Sequence, residues 1–244
     1  MTGDTSRPKQ TALWISVTVA LAVLLGLGTW QMQRRAWKLS LIDRIEHRAH
    51  DEAISLTLAK DLWQRQHDVE YYRVLLVGRF LHDEERHLYT VEDGKAGYRI
   101  ITPLVTGGGA IVLVDRGYVP EELKDPGTRA EGQIAGTVEL VGHARASVPP
   151  GWFIPRGDIA RNQWFTRDVA AMAASLPGDQ PPRVAPFMVE AEAEKIPGGW
   201  PRGGGTGFTF SNRHLEYALT WYGLAVTLLI VAFMLARSRA QEAT

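Results

Sequence analysis

His214 has the strongest claim to chemistry in this sequence. It stands in NRHLEYALTWYGLA, residues 212–225, where a polar connector gives way to a long apolar run. On a helix, His214, Tyr217, Ala218 and Trp221 fall on one stripe, at offsets of three, four and seven. An imidazole at the depth of a membrane interface, with aromatic rings and a small alanine beneath it, suits a flat apolar ligand that carries a metal. Haem meets that description, because iron accepts a neutral imidazole nitrogen as axial ligand and the macrocycle needs an apolar wall. Its propionates would turn towards water, where Arg213, Arg34 and Arg35 are expected at the same membrane face. The competing reading is an interfacial belt of His214, Tyr217 and Trp221 with the arginines on lipid phosphates. By spacing alone such belts are the commoner case.

Other candidates are weaker. His47 and His50 stand three apart in a helix-like stretch with Glu46 and Asp51 nearby, but no third ligand follows at a characteristic metal spacing. A solvated helix face accounts for them equally well. His82 and His87 bracket HDEERH between two strand-like runs, which reads as a polar hairpin turn. There is no GxSxG elbow, no HExxH and no glycine-rich loop followed by GK[ST]. The glycines at 203–205 lack the flanking strand, helix and lysine that would cradle phosphate, and read as a linker. With no cysteine in 244 residues, disulfides, thiolate metal sites and cysteine nucleophiles are excluded. Lysine plus arginine equal aspartate plus glutamate, 27 each, so nothing in the charge points to a nucleic-acid partner.

Two apolar runs must position His214. Residues 11–31 carry no charged side chain and, as a helix, cover about 30 Å, the thickness of a bilayer's hydrocarbon. Trp14 and Trp30 sit near the two ends of this run. Its length, and the passage through Thr29, Trp30 and Gln31 into Arg34 and Arg35, favour an uncleaved anchor over a signal peptide. Residues 217–236 form a second uncharged run bounded by Arg213, Glu216, Arg237 and Arg239. Two spans put both termini on one side of a lipid bilayer and the middle on the other. The flanking basic residues do not decide which side, since Arg7, Lys9, Arg237 and Arg239 argue against Arg34, Arg35 and Lys38.

Between the runs, residues 36–52 carry Leu39, Ile42 and Ile45 at helical spacing among charges. Strand-like stretches follow at 71–80, 87–91, 98–105, 110–115, 133–141 and 184–191, with Gly94, Gly97 and the triplet 107–109 as turns. Their short spacings predict antiparallel pairing. A helix is predicted over 166–175, capped by Thr166 or Asp168. The predicted fold is a membrane protein with two transmembrane α-helices flanking one β-rich α+β extramembrane domain of mainly antiparallel strands. It divides into a tail (1–10), a first transmembrane helix (11–32) and the domain (33–195, with 33–52 an amphipathic helix leaving the membrane). A Gly/Pro-rich connector (196–212), a second transmembrane helix (213–236) and a tail (237–244) complete it.

The chain resembles the Surfeit-locus-one family of cytochrome c oxidase assembly factors. The resemblance runs from GTWQMQRRAWK (28–38) through YYRVLLVGRF (71–80), GYRIITPL (97–104), VLVDRGYVP (112–120) and RNQWFTRD (161–168) to NRHLEYALTWYGLA (212–225). The order of these motifs between two terminal spans is specific, although Tyr118 stands where the family pattern has tryptophan. The resemblance implies a non-enzymatic accessory protein of the bacterial inner membrane, or of the mitochondrial inner membrane in a eukaryote. Its middle domain would face the periplasm or intermembrane space. It would assist delivery of haem a to cytochrome c oxidase subunit I, with haem a synthase as a further partner. It also implies that His214, as an axial ligand, and Trp221, two turns later, contact haem a. The alternatives are a membrane scaffold that steadies an oxidase intermediate without binding haem, and a membrane-anchored enzyme. Within the domain, Gly78 and Gly117 are expected to serve backbone geometry, while Arg73 and Arg116 could pair inside the fold or meet the oxidase.

Overall fold

Residues 6–178, 183–204 and 213–242 are described by a computed structural model. The chain forms two compact units, Met1–Arg44 with Thr209–Thr244, and Ile45–Phe208.

The first unit is helical. Helix α1, Ser6–His50, is 45 residues long and runs without a break through the expected membrane segment and the predicted amphipathic helix. It ends on a turn closed by the Asp51 N–H to the His47 carbonyl. At the other end of the chain a helix spans His214–Glu242 and is called α4 below. Both helices are long and apolar enough to cross a bilayer. Only 6% and 17% of their most apolar windows are buried, which sets them apart from the core helix of a soluble fold. Their contact faces are small or narrow. On α4, Ala218, Ala225 and Ala232 are buried at intervals of seven, the spacing of a coiled-coil seam. On α1, Gly28 is buried, and a Cβ there would come within 2.6 Å of the Tyr222 ring, so only glycine permits this approach. Hydroxyls within the apolar runs are satisfied inside their own helices, as Thr18 to the Trp14 carbonyl and Thr227 to the Gly223 carbonyl.

The second unit is a β-barrel with appended elements. Strand β1, Ile54–Ser55, leads into helix α2, Leu56–Gln66, which Ser55 caps by accepting the Leu58 N–H at 3.2 Å. There follow β2 (Arg73–Phe80), β3 (Arg86–Glu92), β4 (Lys95–Thr106), β5 (Ile111–Pro120), β6 (Val138–Ala146) and β7 (Gln163–Trp164). Helix α3 (Val169–Ala174) and β8 (Val184–Ala191) complete the unit. Hydrogen-bonded pairing runs β2–β6–β8–β5–β4 and back to β2, closing the barrel, while β3 and β7 extend the wall from β4. Strand β2 alternates buried and exposed residues, placing Val74, Leu76 and Phe80 inside. Strand β5 is buried almost throughout because both its faces are covered. Val112 and Val114 enter the barrel core with Leu104, Phe187 and Val189, and Leu113 enters a second core with Ile101, Trp164, Met172 and Met188. Helix α2 closes the first core, with Trp63 against Phe187 at 6.4 Å between ring centroids. Helix α3 closes the second.

Several expectations are corrected. The strand predicted at 133–141 lies at 138–146, since the chain is still turning at Gly136, whose φ is +84°. The predicted helix is shorter, and Asp168 caps it by accepting the Ala171 N–H at 3.0 Å. The expectation of mainly antiparallel pairing holds, with β1–β2, β3–β7 and β5–β8 parallel; β8 reaches β5 after a crossover that includes α3. Residues 82–87 are not a hairpin turn. Strand β2 pairs with β6 and β4, and the β3–β4 hairpin turns instead at Asp93 and Gly94, both at positive φ. Of the predicted connector, 205–212 lie outside the described residues. Its first part is ordered against the barrel, with Arg202 and Tyr118 exchanging backbone hydrogen bonds of 2.9 Å.

Candidate functional site

Helix α4 begins at His214, directly after Arg213, and the Tyr217 N–H reaches the Arg213 carbonyl at 3.3 Å. His214 faces α1. Its Nδ1 lies 2.8 Å from Oε1 of Gln31, a residue 183 positions away in sequence. With Nδ1–H donating to the amide oxygen, the lone pair resides on Nε2, which has no hydrogen-bond partner among the described residues. A partner on one ring nitrogen that fixes the tautomer and the ring plane is the arrangement found behind metal-ligating histidines. Two residues before Gln31 on α1 and eight after His214 on α4, Thr29 Oγ1 and the Tyr222 hydroxyl lie 3.3 Å apart, locking the register of the helix pair.

The predicted stripe divides between two faces. His214, Ala218 and Trp221 lie on or beside the seam, fully or partly buried. Tyr217 is 55% exposed and stands on the outer flank. Arg213 is exposed and Arg35 half-buried, and the Arg34 guanidinium lies 4.1 Å from the Trp37 ring centroid. An imidazole whose Nε2 has no hydrogen-bond partner among the described residues is chemically able to ligate a metal, and an indole stands two turns further along the same helix. Gln31 and Tyr222 were not among the residues expected to matter. An uncharged amide at the inner end of the apolar run, in GTWQMQ, is the only trace of Gln31's role in the sequence.

In the β domain Arg73 and Arg116 both find partners within the fold. Arg73 donates to Glu192 at 2.7 Å and to the Asp51 carbonyl at 3.1 Å, and the Glu192 hydrogen bond raises its pKa. Arg116 donates to the Gly132 carbonyl and lies over the Phe80 ring at 4.8 Å. Burial, and then Arg129, push its guanidinium down to about 10. Arg116 is thus buried in the interior, while Arg73 forms a partly exposed ion pair that ties β2 to the segment after β8. Gly78 and Gly117 serve backbone geometry. A Cβ at Gly78 would meet the Val105 carbonyl at 2.4 Å. Gly117 has φ +115° and would meet the Arg202 carbonyl at 1.9 Å.

Arg99 is the centre of the larger network, bonding Asp115 at 2.5 Å, Glu92 at 2.9 Å and Glu190 at 3.0 Å. Arg145 then links Glu190 to Glu70. Burial would lower the Arg99 pKa, but Asp115 and Glu190 more than offset it and hold the guanidinium charged. A second cluster joins Glu85 to Arg129 and to His87, the latter at 2.7 Å. These groups are bound to one another by hydrogen bonds and ion pairs. His47 and His50 are both exposed, and no group of three or more potential metal ligands gathers among the described residues.

The sequence model of the SURF1 family matches residues 18–226. Surfeit locus protein 1 of Takifugu rubripes is 36% identical over 221 residues, covering 83% of this chain and 88% of that protein. A SURF1-like protein of Monosiga brevicollis is 36% identical over 236 residues, covering 91% and 86%. Surfeit locus protein 1 of Homo sapiens is 34% identical over 229 residues, covering 87% and 73%.

Proposed function

The chain belongs to the SURF1 family, and on that premise we propose that it is an assembly factor for a haem-copper terminal oxidase, which binds haem a and assists its insertion into subunit I. In this reading α1 and α4 cross the inner membrane and the β domain lies on the periplasmic side, or in the intermembrane space of a mitochondrion. Haem a synthase is the donor and subunit I the recipient. No catalytic step is assigned to the chain.

The observation that carries the proposal is the His214–Gln31 pair. With Nδ1–H donating to Gln31, Nε2 would carry the lone pair and could offer it to the haem iron. The residues fit the group: His214 would hold the iron, Trp221 would form the apolar wall, and Arg213 and the exposed Tyr217 would meet the polar edge. Bound haem a would contribute the iron and the greasy macrocycle that the oxidase needs, and the protein's part is to bind, orient and shield it. A single imidazole suits transfer, because one modest bond holds the cargo while leaving exchange open.

The test is His214→Ala, purified from cells that also make haem a synthase, with pigment extraction and an absorption spectrum. Loss of most of the bound haem a is expected. Unchanged haem occupancy would remove His214 from the role. Full oxidase assembly by a haem-free variant would point to a scaffold instead.

A further inference from the structure

Between β6 and β7 the chain throws out a loop, residues 147–162, in which two neighbouring aromatic side chains have no cover at all. Trp152 is 101% and Phe153 99% exposed, and Ile154 and Ile159 are also exposed. Isolated surface apolar residues are ordinary, but four on one loop are not. The loop is a built feature. Its base is pinned by the Val148 N–H to the Arg167 carbonyl at 2.9 Å and by paired backbone bonds between Asp158 and Gln163 at 2.8 and 3.0 Å. A turn from the Ile154 N–H to the Gly151 carbonyl shapes the tip, and Pro149, Pro150 and Pro155 stiffen the arms. The fold thus holds Trp152 and Phe153 outward and prevents their collapse onto the barrel.

We propose that this loop is a third membrane contact, its Trp152–Phe153–Ile154 tip seated in the headgroup region of the bilayer. Two observations select lipid as the occupant. Tryptophan beside phenylalanine and isoleucine is the composition that partitions into the interface, where an indole keeps its N–H wet and buries its ring. Arg156 and Arg161 are exposed on the same loop against a single aspartate, Asp158, which matches anionic headgroups. The inference rests on the reading that α1 and α4 span a bilayer.

The chain has no cysteine, so single cysteines introduced in the full-length protein report one site each. The environment-sensitive fluorophore NBD is attached at Phe153→Cys, at Val91→Cys, an exposed apolar position at the other end of the barrel, and at Leu224→Cys on α4. The protein is placed in nanodiscs of phosphatidylcholine and phosphatidylglycerol containing nitroxide-labelled lipid. The expected result is blue-shifted emission and strong lipid quenching at 153 and 224, with neither at 91. Changing Arg156 and Arg161 to glutamine should weaken the quenching at 153. If 224 is quenched while 153 behaves as 91 does, the loop proposal falls and the spanning reading stands. A blue shift at 153 without lipid quenching also overturns it, since the tip is then covered by protein. Absence of quenching at 224 overturns the spanning reading and, with it, this one.

Discussion

Replacing Arg99 by methionine removes the cation that Asp115, Glu190 and Glu92 share. Glu190 keeps Arg145 at 2.6 Å, and Glu92 is a quarter exposed and can be hydrated. Asp115 has neither recourse. Its side chain is 3% exposed, and apart from Arg99 it accepts only the Gly117 N–H, at 3.0 Å, among the described residues. Methionine fills similar space but leaves a buried carboxylate uncompensated, which costs about 3–5 kcal/mol. Set against a domain stability of roughly 5–15 kcal/mol, that loss is severe but need not abolish folding. Burial already raises the Asp115 pKa, and without Arg99 nothing comparable pulls it back. A folded carboxyl that titrates above its unfolded value favours the fold fully below the unfolded pKa, and that contribution is lost as pH rises through the folded value. The variant's deficit should therefore be largest near neutrality and shrink on acidification. Adding Asp115→Asn should recover much of the loss. The assay is hydrogen exchange of the β5 amides in the full chain in nanodiscs, with chemical denaturation as a second measure. A deficit below about 1 kcal/mol, or one independent of pH, would refute the view that Asp115 depends on Arg99.

Gln31→Leu should leave α1 intact but free the His214 ring to turn, lowering haem a affinity by about 10–100-fold in titrations of the purified protein. Equal affinity in the variant would show that Gln31 does not position the ligand. Gly117→Ala forces a Cβ onto the Arg202 carbonyl at a positive φ, and should cost about 1–3 kcal/mol of domain stability. It should also release the Tyr118–Arg202 backbone pair, seen as faster exchange of the Arg202 amide.

Two kinds of information were legible in the residues alone. The membrane-length helices follow from uncharged apolar runs, since a helix satisfies its own backbone and needs no partner to exist in lipid. The alternation of β2 follows from a period of two, which is equally local. Helix α2 is also locally encoded, by the Ser55 cap and by Leu56, Ala59, Leu62 and Trp63 at helical spacing, although no element is predicted there. The 133–141 strand was placed early because an apolar stretch does not reveal where a turn ends.

The sites show the same division. His214 was conspicuous as an imidazole at the edge of a greasy run, but whether it faced lipid or protein depended on Gln31, 183 residues earlier. Tyr217, placed on the same stripe by helical spacing, proved to stand outside, because the packed seam is narrower than the stripe. Arg99 and Asp115 lie in two recognisable motifs, yet neither motif shows that they pair. That follows from the β4–β5 register and its bulge between Arg99 and Ile101. Local pattern sets which segments are apolar and how they coil. Which polar groups are satisfied is decided only when distant segments meet, because a buried charge or a fixed tautomer needs a partner and the partner is rarely a neighbour in sequence.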